Sequence, residues 1–109
     1  MVVMLADTAF GVRPHVPTTD GHGTVSVSSW APAKPARPGR LVSAPAEDGE
    51  ADGPGVWVLA LDPGLWPVRA RDLVVEPGTG REWIVTLAVE RKHAVAPVMN
   101  WINVTAYLR

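Results

Sequence analysis

Apolar and polar residues alternate in four stretches of this chain with a period of two, the mark of β-strands that bury one face. Residues 8–13 (TAFGVR) put Thr8, Phe10 and Val12 on one side. Pro14 and Pro17 then stop regular pairing or confine it to an edge, since proline brings no N–H to a ladder. Residues 24–30 (TVSVSSW) alternate again, Val25 and Val27 against serines. The Thr19-Asp20-Gly21-His22-Gly23 stretch between them has turn chemistry, so these pieces are expected to form one hairpin with a long loop. Residues 56–61 (VWVLAL) are a continuous apolar run, the pattern of a strand buried on both faces, and Asp62-Pro63-Gly64 ends it. Leu73, Val74 and Val75 begin a further strand, and Glu76-Pro77-Gly78-Thr79-Gly80-Arg81 turns the chain. Residues 82–89 predict the clearest strand, with Trp83, Val85, Leu87 and Val89 on one face and Glu82, Ile84, Thr86 and Ala88 on the other. After a loop over 90–100, Ile102, Val104, Ala106 and Leu108 oppose Trp101, Asn103, Thr105 and Tyr107 in a last strand. No segment has a helical period. The expected fold is all-β, a single domain over 1–109 built as a small barrel or meander of about six antiparallel strands.

Residues 31–55 differ in kind. They hold five prolines and four glycines, with Leu41 and Val42 as the sizeable apolar side chains. Ordering a backbone residue costs about 1–2 kcal/mol, and so little apolar area offsets little of it. The segment is therefore expected to be a long flexible insertion loop, and excising residues 36–52 to leave the barrel folded. Its charge is split: Lys34, Arg37 and Arg40 come first, then Glu47, Asp48, Glu50 and Asp52.

The net charge of −1 argues against a strongly basic nucleic-acid footprint, though not against a protein that encloses DNA without gripping it. With no cysteine there is no disulfide framework, thiolate metal site or thiol nucleophile. The apolar start Val2-Val3-Met4-Leu5 is cut short by Asp7 and predicts no secretory signal, and no window is long and apolar enough for a membrane span. Asn103-Val104-Thr105 matches a glycosylation sequon but reads as ordinary strand. His15, His22 and His93 are far apart, and only Asp20 lies near one of them, so no metal site is expected. Ser26, Ser28 and Ser29 have no cue for a base or an oxyanion hole, and the turn at 77–80 lacks the setting of a phosphate loop. No catalytic residue and no cofactor is expected. Trp57 and Trp83 are expected in the core. Trp30, Trp66, Trp101 and Tyr107, with the cations Arg91 and Lys92, are candidates for a subunit or partner surface.

Four pieces of the chain resemble the head-to-tail stopper, or head-completion, proteins of siphovirus-type phage connectors. Asp7-Thr8-Ala9-Phe10-Gly11-Val12-Arg13 is similar to their opening strand, and Asp20-Gly21-His22-Gly23 to their Asp-Gly-x-Gly turn. Arg71-Asp72-Leu73-Val74-Val75 with Gly80-Arg81-Glu82-Trp83-Ile84-Val85 resembles their central hairpin. Asn100 to Arg109 resembles their terminal strand. The resemblance implies a structural, non-enzymatic virion protein at the neck of a tailed particle, assembled in the host bacterial cytoplasm. It would form a dodecameric or hexameric ring, between an adaptor or portal-side connector above and a tail terminator or tail tube protein below. Double-stranded DNA would pass through without sequence recognition, and no membrane is involved. Residues 31–55, with Lys34, Arg37, Arg40, Leu41, Val42, Glu47, Asp48, Glu50 and Asp52, occupy the place of the family's channel loop. The alternative is a small cytoplasmic SH3-like or OB-like barrel that binds a peptide or a single nucleic-acid strand, with Arg91, Lys92 and Trp101 lining its groove.

Overall fold

The computed structural model describes residues 8–19, 25–45, 55–96 and 100–109. Among these residues eight strands follow one another: β1 (Thr8–Arg13), β2 (His15–Thr19), β3 (Val25–Trp30), β4 (Arg37–Ser43), β5 (Trp57–Leu61), β6 (Leu73–Glu76), β7 (Arg81–Arg91) and β8 (Trp101–Leu108). A single 3-10 turn, Pro63–Leu65, follows β5, with the Asp62 side chain accepting from the Gly64 N–H. Six strands close an antiparallel barrel in the order β1-β4-β5-β8-β7-β6, and β1 shuts it by pairing with β6 through Gly11–Val75, Val12–Val74 and Arg13–Leu73. β2 and β3 pair only with each other and form a two-stranded arm. The small all-β barrel is what the alternation predicts.

Inward positions of every barrel strand meet in one core. Phe10, Val12, Leu59, Leu61, Val74, Trp83, Val85, Ile102, Val104 and Ala106 are buried together, joined by Leu65 and Val68 from the β5–β6 connector. Trp83 lies edge-on to Phe10 at 5.8 Å and to Trp57 at 5.5 Å, the arrangement aromatic quadrupoles favour. Trp57 packs against this core from one end of the barrel and stays partly exposed.

Three expectations are corrected. The first strand does not form a hairpin with residues 24–30. β3 pairs with His15–Thr19, and β1 belongs to the barrel, where it lies between β4 and β6. Pro17 is tolerated because β2 is an edge strand.

Residues 31–55 are not one loop. Arg37–Ser43 is β4, a barrel strand between β1 and β5. Its apolar area is small because Gly39 does the work of a core residue by being absent. A Cβ there would lie 2.6 Å from Phe10 Cδ2 and 2.8 Å from the Ala60 carbonyl oxygen, so the strand approaches its neighbours only as glycine. Glu47, Asp48, Glu50 and Asp52 lie outside the described residues, as does the turn at Asp20–Gly23.

Finally, β7 does not keep one face. Its register against β8 shifts between Val85 and Leu87, a β-bulge at Thr86, whose hydroxyl donates to the Thr105 carbonyl at 2.9 Å. The extra residue inverts the alternation beyond it. Ala88 packs inward, and Leu87 is left 58% exposed.

Candidate functional site

The base of the arm holds a polar constellation, and one buried carboxylate organises it. Asp72, buried on the turn entering β6, accepts from the His15 N–H through Oδ1 and from the Arg69 N–H through Oδ2, both at 2.9 Å. Arg13 reaches across from the end of β1: its Nε donates to the Ala31 carbonyl at 2.9 Å and its Nη2 to the Trp30 carbonyl at 3.0 Å. Trp30 returns an indole N–H to the Arg71 carbonyl at 2.9 Å. His15 sits edge-on to Trp30 at 6.1 Å, and the Arg109 guanidinium lies 4.7 Å from the Trp30 ring centre. An isolated two-stranded hairpin is marginal in water, so these bonds hold what pairing alone would not.

The same bonds make the two edges of the arm unlike. The Ala31 N–H donates to the Pro14 carbonyl, so Pro14 and Ala31 form a hydrogen-bonded pair. By antiparallel alternation the nitrogens of His15 and Pro17 then face outward. Asp72 consumes the first, and proline has no hydrogen on the second. The outer edge of β2 is thereby closed to strand addition, whereas β3 has no strand partner on its outer side among the described residues.

A second constellation closes one end of the barrel. Glu76, buried at the end of β6, accepts from Arg81 Nε and the Thr79 hydroxyl on Oε1 and from the Thr8 hydroxyl on Oε2. The Arg81 guanidinium lies 5.5 Å from the Trp57 ring centre and 5.2 Å from that of Trp83, a cation–π cap over the core. Burial by itself pushes the Glu76 carboxyl up, but hydrogen bonds from Arg81, Thr79 and Thr8, with the Arg81 charge, outweigh it and hold the group below the usual carboxylate range. Gly80, at φ 79°, makes the tight turn that brings Arg81 back over Glu76.

The sign of that shift gives a prediction. A depressed carboxyl stabilises the fold in its ionised form. The contribution is complete above the ordinary glutamate value and is lost as pH falls through the lower, folded one. Glu76→Gln should cost about 1.5–3 kcal/mol at neutral pH, the worth of hydrogen bonds to a charged group. Urea midpoints of the two proteins should draw together as the medium turns acid; a gap independent of pH would show that the charge of Glu76 contributes nothing.

The residues singled out from the sequence fall in separate places. Lys34 is half-buried just before β4, and Arg37 opens β4 in an ion pair with Asp62 at 2.8 Å. Arg40 and Val42 are exposed on that strand, and Leu41 packs against the core. Trp66 is exposed after the 3-10 turn. On the outer face of β8, Trp101 lies opposite Arg91 and Tyr107 opposite Ile84, six residues and roughly 20 Å apart along the strand. Lys92 meets Glu90 at 3.3 Å. Trp30 belongs with none of these but with Arg13, His15, Arg69, Arg71, Asp72 and Arg109. The sequence does not group those six as a site, since no periodicity links a β1 end, a turn and the last residue. The one hint is the run Arg69-Ala70-Arg71-Asp72, with two cations beside an acid.

All ten Lys and Arg, and five of the eleven acids, lie among the described residues. Each of the five acids is engaged: Asp62 with Arg37, Asp72 with backbone N–H groups, Glu76 with Arg81, Glu82 with Arg109 and Glu90 with Lys92. Among the described residues no three His, Cys, Asp or Glu side chains gather as a metal site, and no helix is long and apolar enough to cross a membrane.

No family model matches this chain, and no curated protein or solved structure matches it either.

Proposed function

We propose that this chain is a structural, non-enzymatic virion protein of a tailed phage or prophage-like particle: a head-to-tail stopper whose copies form a ring at the neck. The ring closes the DNA channel after packaging and offers the tail its docking surface. One observation carries the reading. Three of the four segments that resemble the stopper family are β1, the β6–β7 hairpin and β8, and these are consecutive neighbours in one wall of the closed barrel; the fourth, Asp20–Gly23, lies outside the described residues. The arm adds support. The barrel itself has no free edge, whereas β3 has no strand partner on its outer side among the described residues, as suits a subunit completed by its neighbours. Any channel loop is shorter than the 31–55 stretch, because β4 claims its middle. A second reading, a small barrel that binds a peptide or a single strand, is favoured by Arg91 facing Trp101 across β7 and β8.

The test is deletion of the gene from the strain that carries it, followed by imaging of induced particles. The expected result is DNA-leaking heads without tails, restored by the chain supplied in trans. Intact tailed particles, or the absence of any particle genes beside this one, would overturn the proposal.

A further inference from the structure

Arg69 and Arg71, at the turn that enters β6, are both exposed, two residues apart, and neither lies within ion-pair distance of a carboxylate among the described residues. The acid of that turn, Asp72, has an oxygen committed to each of two backbone N–H groups and is no partner for them.

The turn is also held rigidly. Arg71 sits at φ 77°, a left-handed conformation uncommon for a residue other than glycine. It is kept there from both sides: its N–H donates to the Val85 carbonyl at 2.7 Å, and its carbonyl accepts from Trp30 Nε1 at 2.9 Å. Backbone strain that the surroundings enforce belongs to sites whose geometry is fixed in advance. A ligand meeting these two cations has no turn to order, which lowers the cost of binding.

Neighbouring groups narrow the ligand. The indole N–H of Trp30 is spent, the ring is half-buried, and Arg109, itself 3.3 Å from Glu82, lies over it. A nucleobase has no open ring to stack upon there. Two exposed guanidinium forks with no aromatic platform suit tetrahedral anions strung along a backbone, where arginine bonds phosphate oxygens in pairs.

We propose that the Arg69–Arg71 turn, framed by Trp30 and Arg109, is a contact site for the phosphates of a duplex DNA backbone, without base readout. The phosphate chain follows from the arginines and their surroundings; its assignment to duplex DNA rests on the connector reading. Two contacts per subunit are weak alone and add up around a ring. They are sensitive to salt and indifferent to sequence, as suits DNA that must be retained and later released.

The experiment measures fluorescence anisotropy of a short labelled duplex of arbitrary sequence against the purified protein over a series of salt concentrations. Three double variants are compared with the parent: R69Q/R71Q, R69K/R71K and V56E/L87E. The first should lower the slope of log affinity against log salt by about 2, since each phosphate neutralised by a cation adds about 0.9 to it, and should weaken binding at least about tenfold at low salt. The second keeps the charge and should keep the slope. The third shifts the net charge by the same two units at exposed positions elsewhere, Val56 before β5 and Leu87 on β7, and should leave affinity within about twofold. Equal weakening by the first and third pairs, or no binding by the parent at low salt, would overturn the site. Failure of the connector reading is seen separately. If gene deletion leaves intact tailed particles while the anisotropy results stand, the phosphate site survives and the neck assignment does not.

Discussion

Trp83→Ala should cost about 3–5 kcal/mol, the range for truncating a large buried aromatic, and should leave little or no folded protein. The side chain has no exposed surface and stands at the centre of the barrel's aromatic contacts, with Phe10 and Trp57 edge-on to it and Arg81 over its face. A domain this small has total stability on the order of 5–15 kcal/mol, so the loss takes most of the margin. The cation–π cap goes with the ring, and Arg81 is left over a cavity. Urea unfolding followed by circular dichroism is the measurement. Trp83→Phe is the informative companion. It keeps an aromatic ring and removes an indole N–H that is buried without a hydrogen-bond acceptor, so it should lose much less. A Trp83→Ala protein that unfolds cooperatively at the parent's midpoint would mean that the core does not depend on this residue.

What was legible in the sequence was whatever a single strand reports about itself. β1, β8 and the first half of β7 alternate because one side of each faces the same core, and their inward residues were readable one strand at a time. β5 was legible for the opposite reason: Leu59, Ala60 and Leu61 are all buried, so it reads as a solid apolar run. The failures share a cause, in that each depends on a neighbour. Thr86 looks like any outward strand residue, and nothing local marks it as the extra one that turns Leu87 outward. β4 carries prolines, arginines and a glycine, and its place in the barrel comes from what Phe10 and Ala60 leave room for. The arm base is harder still. Arg13, Trp30, Arg71, Asp72 and Arg109 are spread over most of the chain, and they meet through backbone carbonyls and N–H groups that a residue pattern does not encode.

Excising residues 36–52 should abolish cooperative folding, the reverse of what a dispensable loop would do. The cut removes β4 entirely, breaks the closed barrel between β1 and β5, and exposes the ladder edges of both. It also uncovers Phe10, which Gly39 lies against, and removes Leu41, which packs on the core. A graded form of the same experiment isolates the contact. Gly39→Ala introduces a Cβ too close to both a ring carbon and a backbone oxygen, and the oxygen belongs to a β5 residue that is itself paired with β8, so it has little freedom to retreat. Overpacking of this sort costs about 1–3 kcal/mol, seen as a lower urea midpoint at unchanged slope. Gly78→Ala is the control, because a Cβ at Gly78 meets nothing within 4 Å. Any loss there reports the general cost of replacing a turn glycine, and the difference between the two variants measures how tightly β4 is drawn into the barrel. Should the excised chain fold cooperatively, or Gly39→Ala match Gly78→Ala, β4 would be an ornament on a barrel that closes without it.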